Sequence, residues 1–189
     1  MPWNIPILLT WMRVLLIPVF TILFYPPVKY WFDPQALNWA AAIVFAVAAV
    51  TDWFDGFLAR KWQQTSDFGA FLDPVADKLM VAVALILLVK LDRTTALYSM
   101  IIIGREITIS ALREWMAQMG RRNSVAVATI GKFKTAAQMI AILLLLVGLR
   151  DFYGVDLIFW GNVLMFIASV LTVWSMFYYL KMALKEINS

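Results

Sequence analysis

The stretch Leu157–Met182 reads LIFWGNVLMFIASVLTVWSMFYYLKM and carries no charged side chain before Lys181. About 20 consecutive apolar residues suffice for a helix to cross the hydrocarbon core of a bilayer, so this stretch reads as a transmembrane helix. Five more segments read the same way: about Ile7–Tyr25, with Pro18 inside it and Pro26-Pro27 ending it; about Ala36–Thr51, continuing as a polar helix to Arg60; about Val75–Leu91; about Thr95–Met116, broken by Arg105 and Glu106; and about Val127–Leu149. The expected fold is all-α: a polytopic membrane protein of six transmembrane helices, both termini cytoplasmic, with a short N-terminal juxtamembrane segment. There is no internal repeat, low-complexity tract or flexible linker, so residues 1–189 read as a single domain. The N-terminus lacks a basic region and a small-residue cleavage site, so the first span is expected to stay in the mature chain.

Composition agrees. Of 189 residues 63% are hydrophobic and 15% charged, with a mean hydropathy of +0.80. A soluble domain runs about 45–50% apolar and about 25% charged. An ordinary soluble domain and a disordered chain are both excluded. The chain has no cysteine and no histidine. Disulfides, thiolate metal sites and imidazole chemistry are therefore excluded, and any metal must be held by oxygen, which favours a hard cation such as Mg2+.

Lys and Arg accumulate on the cytoplasmic side of membrane proteins. With six spans, one side holds Arg13, Arg60, Lys61, Lys78, Arg105, Arg113, Arg121, Arg122, Lys132, Lys134, Lys181 and Lys185, and the other holds Lys29, Lys90, Arg93 and Arg150. The larger set marks the termini and the loops after the second and fourth spans as cytoplasmic.

Residues 51–78 read TDWFDGFLARKWQQTSDFGAFLDPVADK. Acids beside apolar spans are expensive: a charge at a helix centre costs about 2.5–3.5 kcal/mol on insertion scales. Asp52 and Asp55 are three apart and share a helix face. Gly69, Asp73 and Asp77 fall at i, i+4 and i+8, again one stripe. The polar residues between can turn the chain so that the two stripes face each other. Four converging carboxylates repel unless a cation sits among them. One or two divalent ions remove that repulsion and create a site for a phosphate-bearing substrate. Gly56 and Ala59 leave space beside the acids, and Arg60 is a permanent cation suited to a phosphate oxygen. Pro74 biases Asp73 away from helical geometry, so the third helix either starts there or kinks there.

The spacing Asp-x2-Asp-Gly-x2-Ala-Arg-x8-Gly-x3-Asp-x3-Asp, carried by Asp52, Asp55, Gly56, Ala59, Arg60, Gly69, Asp73 and Asp77, resembles the signature of the CDP-alcohol phosphatidyltransferase family at every fixed position. The resemblance extends over nearly the whole chain. Asn4-Ile5-Pro6, Thr10, Arg13, GREITISALREW (Gly104–Trp115) and GKFKTAAQM (Gly131–Met139) resemble the bacterial members that use sn-glycerol 3-phosphate as acceptor. Ile7 departs from the pattern, since many members carry asparagine there.

The resemblance implies a set of roles. Asp52, Asp55, Asp73 and Asp77 would bind Mg2+ or Mn2+, as two ions, with Asp77 also the catalytic base. Thr10, Gly56, Ala59, Arg60 and Ser66 would bind CDP-diacylglycerol. Arg105, Arg113 and Lys132 would bind the acceptor's phosphate. It further implies a homodimer among membrane lipids, in the bacterial cytoplasmic membrane with the site facing the cytoplasm. Nucleic acid is not an expected partner. With no histidine, a carboxylate near the metals is the available base for the acceptor hydroxyl. A metal-bound carboxylate is a weak base, so Asp77 either takes the proton or chiefly orients the hydroxyl.

Arg105 lies in the apolar run IIIGREITIS, where an unpaired cation is costly, so it should line a cavity or pair with an acid. Glu106, adjacent and about 100° away around a helix of 3.6 residues per turn, is expected to be a poor direct partner. Arg113, eight residues on, can share the broad face of Arg105. Arg121 and Arg122 are expected to serve topology and lipid headgroup attraction; between Lys132 and Lys134 the residues alone leave the pocket cation open, and the resemblance points to Lys132. The tryptophans read as an interfacial belt, and the methionines as filler. Three rival readings are a different acceptor such as serine or inositol phosphate, a metal-dependent membrane prenyltransferase, and an ion transporter. A neutral acceptor would not need three cations, a prenyltransferase would carry a second aspartate motif, and a transporter would not need Gly56, Ala59 and Arg60 beside the acids.

Overall fold

A computed structural model describes residues 5–25, 28–62, 67–119 and 129–187, with side chains described at these positions except 5–7, 9, 53–62, 67–71, 73, 129–132 and 185–187. Among the described residues there are seven helices and no strand: α1 (Ile5–Ile22), α2 (Val28–Trp31), α3 (Pro34–Trp62), α4 (Asp67–Lys90), α5 (Ala96–Gln118), α6 (Thr129–Val147) and α7 (Leu157–Ile187). The six long helices fall on the six apolar segments, and α2 is a four-residue turn of helix between the first two. Among the described residues two stretches, Pro34–Asp52 and Leu157–Leu184, are long and apolar enough to cross a membrane. The chain divides into two compact units, one of Met1–Lys90 with Leu146–Gly148, the other of Leu91–Leu145 with Leu149–Ser189.

In the first unit α1 packs on α3 and α4, and α3 on α4. The buried stripe of α1 runs Thr10, Arg13, Phe20, and that of α3 runs Leu37, Ala41, Phe45, Ala48, each at three- to four-residue steps or a multiple of them. Phe20 lies 6.5 Å from Phe45, ring centre to ring centre. Alanines at 41, 42, 48, 76 and 84 are all buried, and small side chains let helix backbones approach closely in lipid. The start of α3 is set locally: Asp33 Oδ2 accepts the Ala36 backbone N–H at 2.9 Å, and Pro34 opens the helix, where its missing N–H is no loss.

Helix α4 begins at Asp67 and runs through Pro74. Of the two expectations for Pro74, a helix start is not what the chain does; the third helix begins seven residues earlier than that proline. Pro74 removes one backbone donor and crowds the carbonyl four residues back, but its fixed φ is helical, so the helix continues. Asp73 and Asp77 therefore sit one turn apart on one continuous helix.

In the second unit α5 packs on α7. The buried stripe of α7 is Leu157, Gly161, Met165, Ala168, Thr172, Ser175, Tyr179 and Ala183. Its steps are all of three or four residues, and most of it is small or hydroxylated. Ser169 and Ser175 return their hydroxyls to backbone carbonyls of their own helix, at 2.8 and 2.9 Å, which satisfies a buried polar group without water. A Cβ built on Gly161 would stand 2.7 Å from Leu145 Cγ, so glycine is what lets α6 and α7 meet there. Asp156 caps α7 by accepting the Phe159 N–H at 2.9 Å. The turn before α5 is tied down by Arg93, which donates to the Leu145 carbonyl at 3.0 Å and accepts from Asn162 at 2.8 Å. The described tryptophans at 11, 31, 39, 115, 160 and 174 are all exposed, as a lipid-facing or interfacial belt requires.

Candidate active site

Helix α3 is 29 residues long, about 44 Å at 1.5 Å per residue. Its apolar part ends at Asp52, so the helix carries its first acid to the end of the apolar stretch and Asp55 one turn further. The Asp52 carboxylate accepts a charge-assisted hydrogen bond from Arg13 Nη1. Arg13 is 1% exposed, while the Asp52 side chain is 42% exposed. The buried cation thus holds the base of a carboxylate that still reaches outward. Thr10 is also buried and lies three residues before Arg13, on the same face of α1. Asp77 is half-buried on α4.

Asp55, Gly56, Ala59, Arg60, Gly69 and Asp73 lie on α3 and α4, and their side chains fall outside the described set, as does Ser66 altogether. Among the described residues no three carboxylates converge; the four-aspartate convergence rests on Asp55 and Asp73 and so lies outside them. The donor set is nonetheless all oxygen, since the chain has no histidine and no cysteine.

The second unit holds a separate cluster of charge. Glu106 Oε1 accepts from Arg105 Nη1 at 3.0 Å and from Lys134 Nζ at 2.7 Å. Arg105 Nη2 donates to Ser175 Oγ at 3.3 Å. The Tyr179 ring lies 5.6 Å from the Arg105 guanidinium carbon and 5.8 Å from that of Arg113. Arg105 is 8% exposed and its Nε is buried with no hydrogen-bond partner among the described residues. The expectation that Glu106 is a poor partner for Arg105 is corrected here. Their Cα–Cβ bonds diverge, but both side chains are long, and the Glu106 carboxylate curls back to an oxygen that Lys134 also needs. The expectation for Arg113 fares better, since it shares one ring with Arg105.

Lys134, the alternative to Lys132 that the sequence leaves open, is buried. The signal was present: Lys134, Gln138, Ile142 and Leu145 form a buried stripe, with Phe133 exposed beside it. Lys132 lies on α6 with its side chain outside the described set. A groove of about 760 Å3 on the same unit, walled by Tyr98, Ile101, Phe166, Trp174 and Phe177, is almost wholly apolar and includes none of Arg105, Glu106, Arg113 or Lys134.

Comparison with known proteins gives this geometry a family. The model of the CDP-alcohol phosphatidyltransferase family matches residues 3–174. The chain belongs to the CDP-alcohol phosphatidyltransferase family. It is also 54% identical over 185 residues, covering 97% of this chain and 96% of the relative, to the CDP-diacylglycerol–glycerol-3-phosphate 3-phosphatidyltransferases of Shigella flexneri serotype 5b (strain 8401) and Escherichia coli (strain K12). As a CDP-alcohol phosphatidyltransferase the chain carries all eight signature positions on two helices, α3 and α4, which pack together in the first unit. In this CDP-alcohol phosphatidyltransferase the structure brings Arg13 against Asp52, and Glu106, Ser175 and Tyr179 against Arg105, partners that the sequence does not single out as site residues.

Proposed function

We propose that this chain is a CDP-diacylglycerol–glycerol-3-phosphate 3-phosphatidyltransferase, which moves the phosphatidyl group from CDP-diacylglycerol to sn-glycerol 3-phosphate and releases CMP. The observation that carries the reading is the 54% identity to relatives of that name along nearly the full length of both chains. The structure supports the acceptor assignment through one cluster: Arg105, Arg113 and Lys134 against Glu106 leave two formal positive charges. That balance suits a phosphate close to a dianion, and the unpartnered Nε of Arg105 leaves a buried donor for a phosphate oxygen. Lys132 is proposed beside them.

The all-oxygen donors fit Mg2+ or Mn2+. Arg13 steadies Asp52, and the unbroken α4 keeps Asp73 and Asp77 on one face, so Asp52, Asp55, Asp73 and Asp77 would hold two ions. When bound, such ions neutralise the pyrophosphate and polarise its phosphorus. The remaining work belongs to the protein. Thr10, Gly56, Ala59, Arg60 and Ser66 hold the CDP group, the two small residues admitting the nucleotide and Arg60 meeting a phosphate oxygen. Arg105 and its neighbours orient the acceptor by its phosphate. Asp77 accepts the proton of the 1-hydroxyl as that oxygen bonds to the lipid-side phosphorus, and the bond from phosphorus to the CMP oxygen breaks. The products are phosphatidylglycerophosphate and CMP.

The same reading makes residues 1–189 one membrane domain with six spans and both termini cytoplasmic, which the 12-to-4 distribution of Lys and Arg supports. It sits in the bacterial inner membrane, site toward the cytoplasm, as a homodimer among lipids. An inositol phosphate acceptor would suit the same cations. CMP release in detergent with CDP-diacylglycerol and a panel of acceptors decides: release with glycerol 3-phosphate alone supports this assignment, and faster release with inositol phosphate or serine overturns it.

A further inference from the structure

We infer that Tyr179 is a positioning residue that holds Arg105 and Arg113 side by side as a phosphate clamp without cancelling their charge. The inference rests on the reading of these two arginines as acceptor-phosphate ligands. One ring lies within 5.6 Å of the first guanidinium and 5.8 Å of the second, inside the about 6 Å reach of a cation–π contact. The ring itself cannot drift. Tyr179 is 1% exposed and packs with Ile109 and Met116 of α5 and Ala183 of its own helix. Arg105, Ile109, Arg113 and Met116 fall at steps of four, four and three along α5, so the residues that fix the ring and the residues it fixes share one stripe.

Two guanidiniums gathered at one point repel each other, and something must offset that before the substrate arrives. Arg105 has Glu106 and Ser175 as well as the ring. Arg113 is exposed and has no hydrogen bond or ion pair among the described residues, so the ring is what orders it. A carboxylate at this position would hold both cations equally well and would halve the net charge of two that suits a phosphate dianion. An aromatic face attracts cations through its quadrupole and carries no charge. Glu106 offsets one charge, Tyr179 organises two, and the clamp stays positive.

The test is steady-state kinetics of Tyr179→Phe, Tyr179→Leu and a series with mono-, di- and trifluorophenylalanine at 179, in mixed micelles with Arg105→Ala run alongside. Fluorination weakens the ring's negative face and keeps its shape, so folding is preserved even where Tyr179→Leu fails to fold. Tyr179→Phe keeps the KM for glycerol 3-phosphate within about threefold, while trifluorophenylalanine raises it about tenfold in graded steps, with the KM for CDP-diacylglycerol unchanged. A flat fluorination series, or an equal rise in both KM values, overturns the inference. If Arg105→Ala raises the acceptor KM and the ring series is flat, the phosphate pocket stands and only the role of Tyr179 falls. If Arg105→Ala leaves the acceptor KM unchanged, the pocket reading fails and the inference with it.

Discussion

Lys134 Nζ lies 2.7 Å from Glu106 Oε1, an ion pair that joins α6 to α5 with the lysine 3% and the glutamate 27% exposed. Because the same oxygen accepts from Arg105, one carboxylate holds two buried cations. Breaking a buried pair leaves an uncompensated charge and costs about 3–5 kcal/mol. Glu106→Gln is therefore expected to destabilise the protein by about 3 kcal/mol, the low end because Glu106 is partly exposed. Unfolding by SDS titration measures it. The double variant with Lys134→Met should recover much of the loss, since it removes the stranded charge. Wild-type stability in Glu106→Gln would mean that the pair does not matter to folding.

Arg13 and Asp52 make the corresponding link between α1 and α3. Arg13→Met keeps the apolar stem of a buried side chain and removes the guanidinium that steadies the first motif aspartate. The turnover number in mixed micelles is expected to fall at least about tenfold, the scale on which loss of orientation at a reacting centre is felt. Full turnover would reduce Arg13 to a topology residue.

Gly161 has no room for a methyl group, with Leu145 Cγ 2.7 Å and Cδ2 2.8 Å from where its Cβ would stand. Leu145 is fully buried and cannot swing outward freely. Gly161→Ala should therefore lower stability by about 1–3 kcal/mol, as overpacking does, and Leu145→Ala in the same chain should compensate. Thermal unfolding of the purified protein distinguishes this from a tolerated change.

Asp77→Asn tests the base. Removing a general base typically slows turnover by about 10²–10⁴-fold. The expected result is a loss in that range that persists at saturating Mg2+, with the Mg2+ concentration for half-maximal activity raised by the loss of one ligand. A loss that disappears at high Mg2+ would instead make Asp77 a metal ligand alone, and near-wild-type turnover would remove it from the chemistry.

Much of this protein is legible in its sequence because its helices are dictated by long apolar runs, and the six long helices fall on them. The start of α4 is the exception: Pro74 reads as a boundary, yet a proline φ is helical and the helix runs through it from Asp67. The aspartates are legible because acids beside apolar spans demand a partner. The cation cluster is only half legible. Arg105 stands out as a charge in an apolar run, and its need for an acid could be stated, but which acid depends on how long side chains bend. The angular rule that set Glu106 aside describes Cβ directions and says nothing of a carboxylate that curls toward α6. Tyr179 was invisible among many aromatics, since only the stripe shared with Ser175 and Ala183 on α7 turns it toward Arg105.

The most direct test of the central claim is the fate of labelled sn-glycerol 3-phosphate incubated with the purified protein, CDP-diacylglycerol and Mg2+ in mixed micelles. The account predicts that label enters a lipid-soluble phosphatidylglycerophosphate in equal molar amount to the CMP released, and that chelating the metal stops both. CMP release without glycerol 3-phosphate, or no label in the lipid phase, would contradict it.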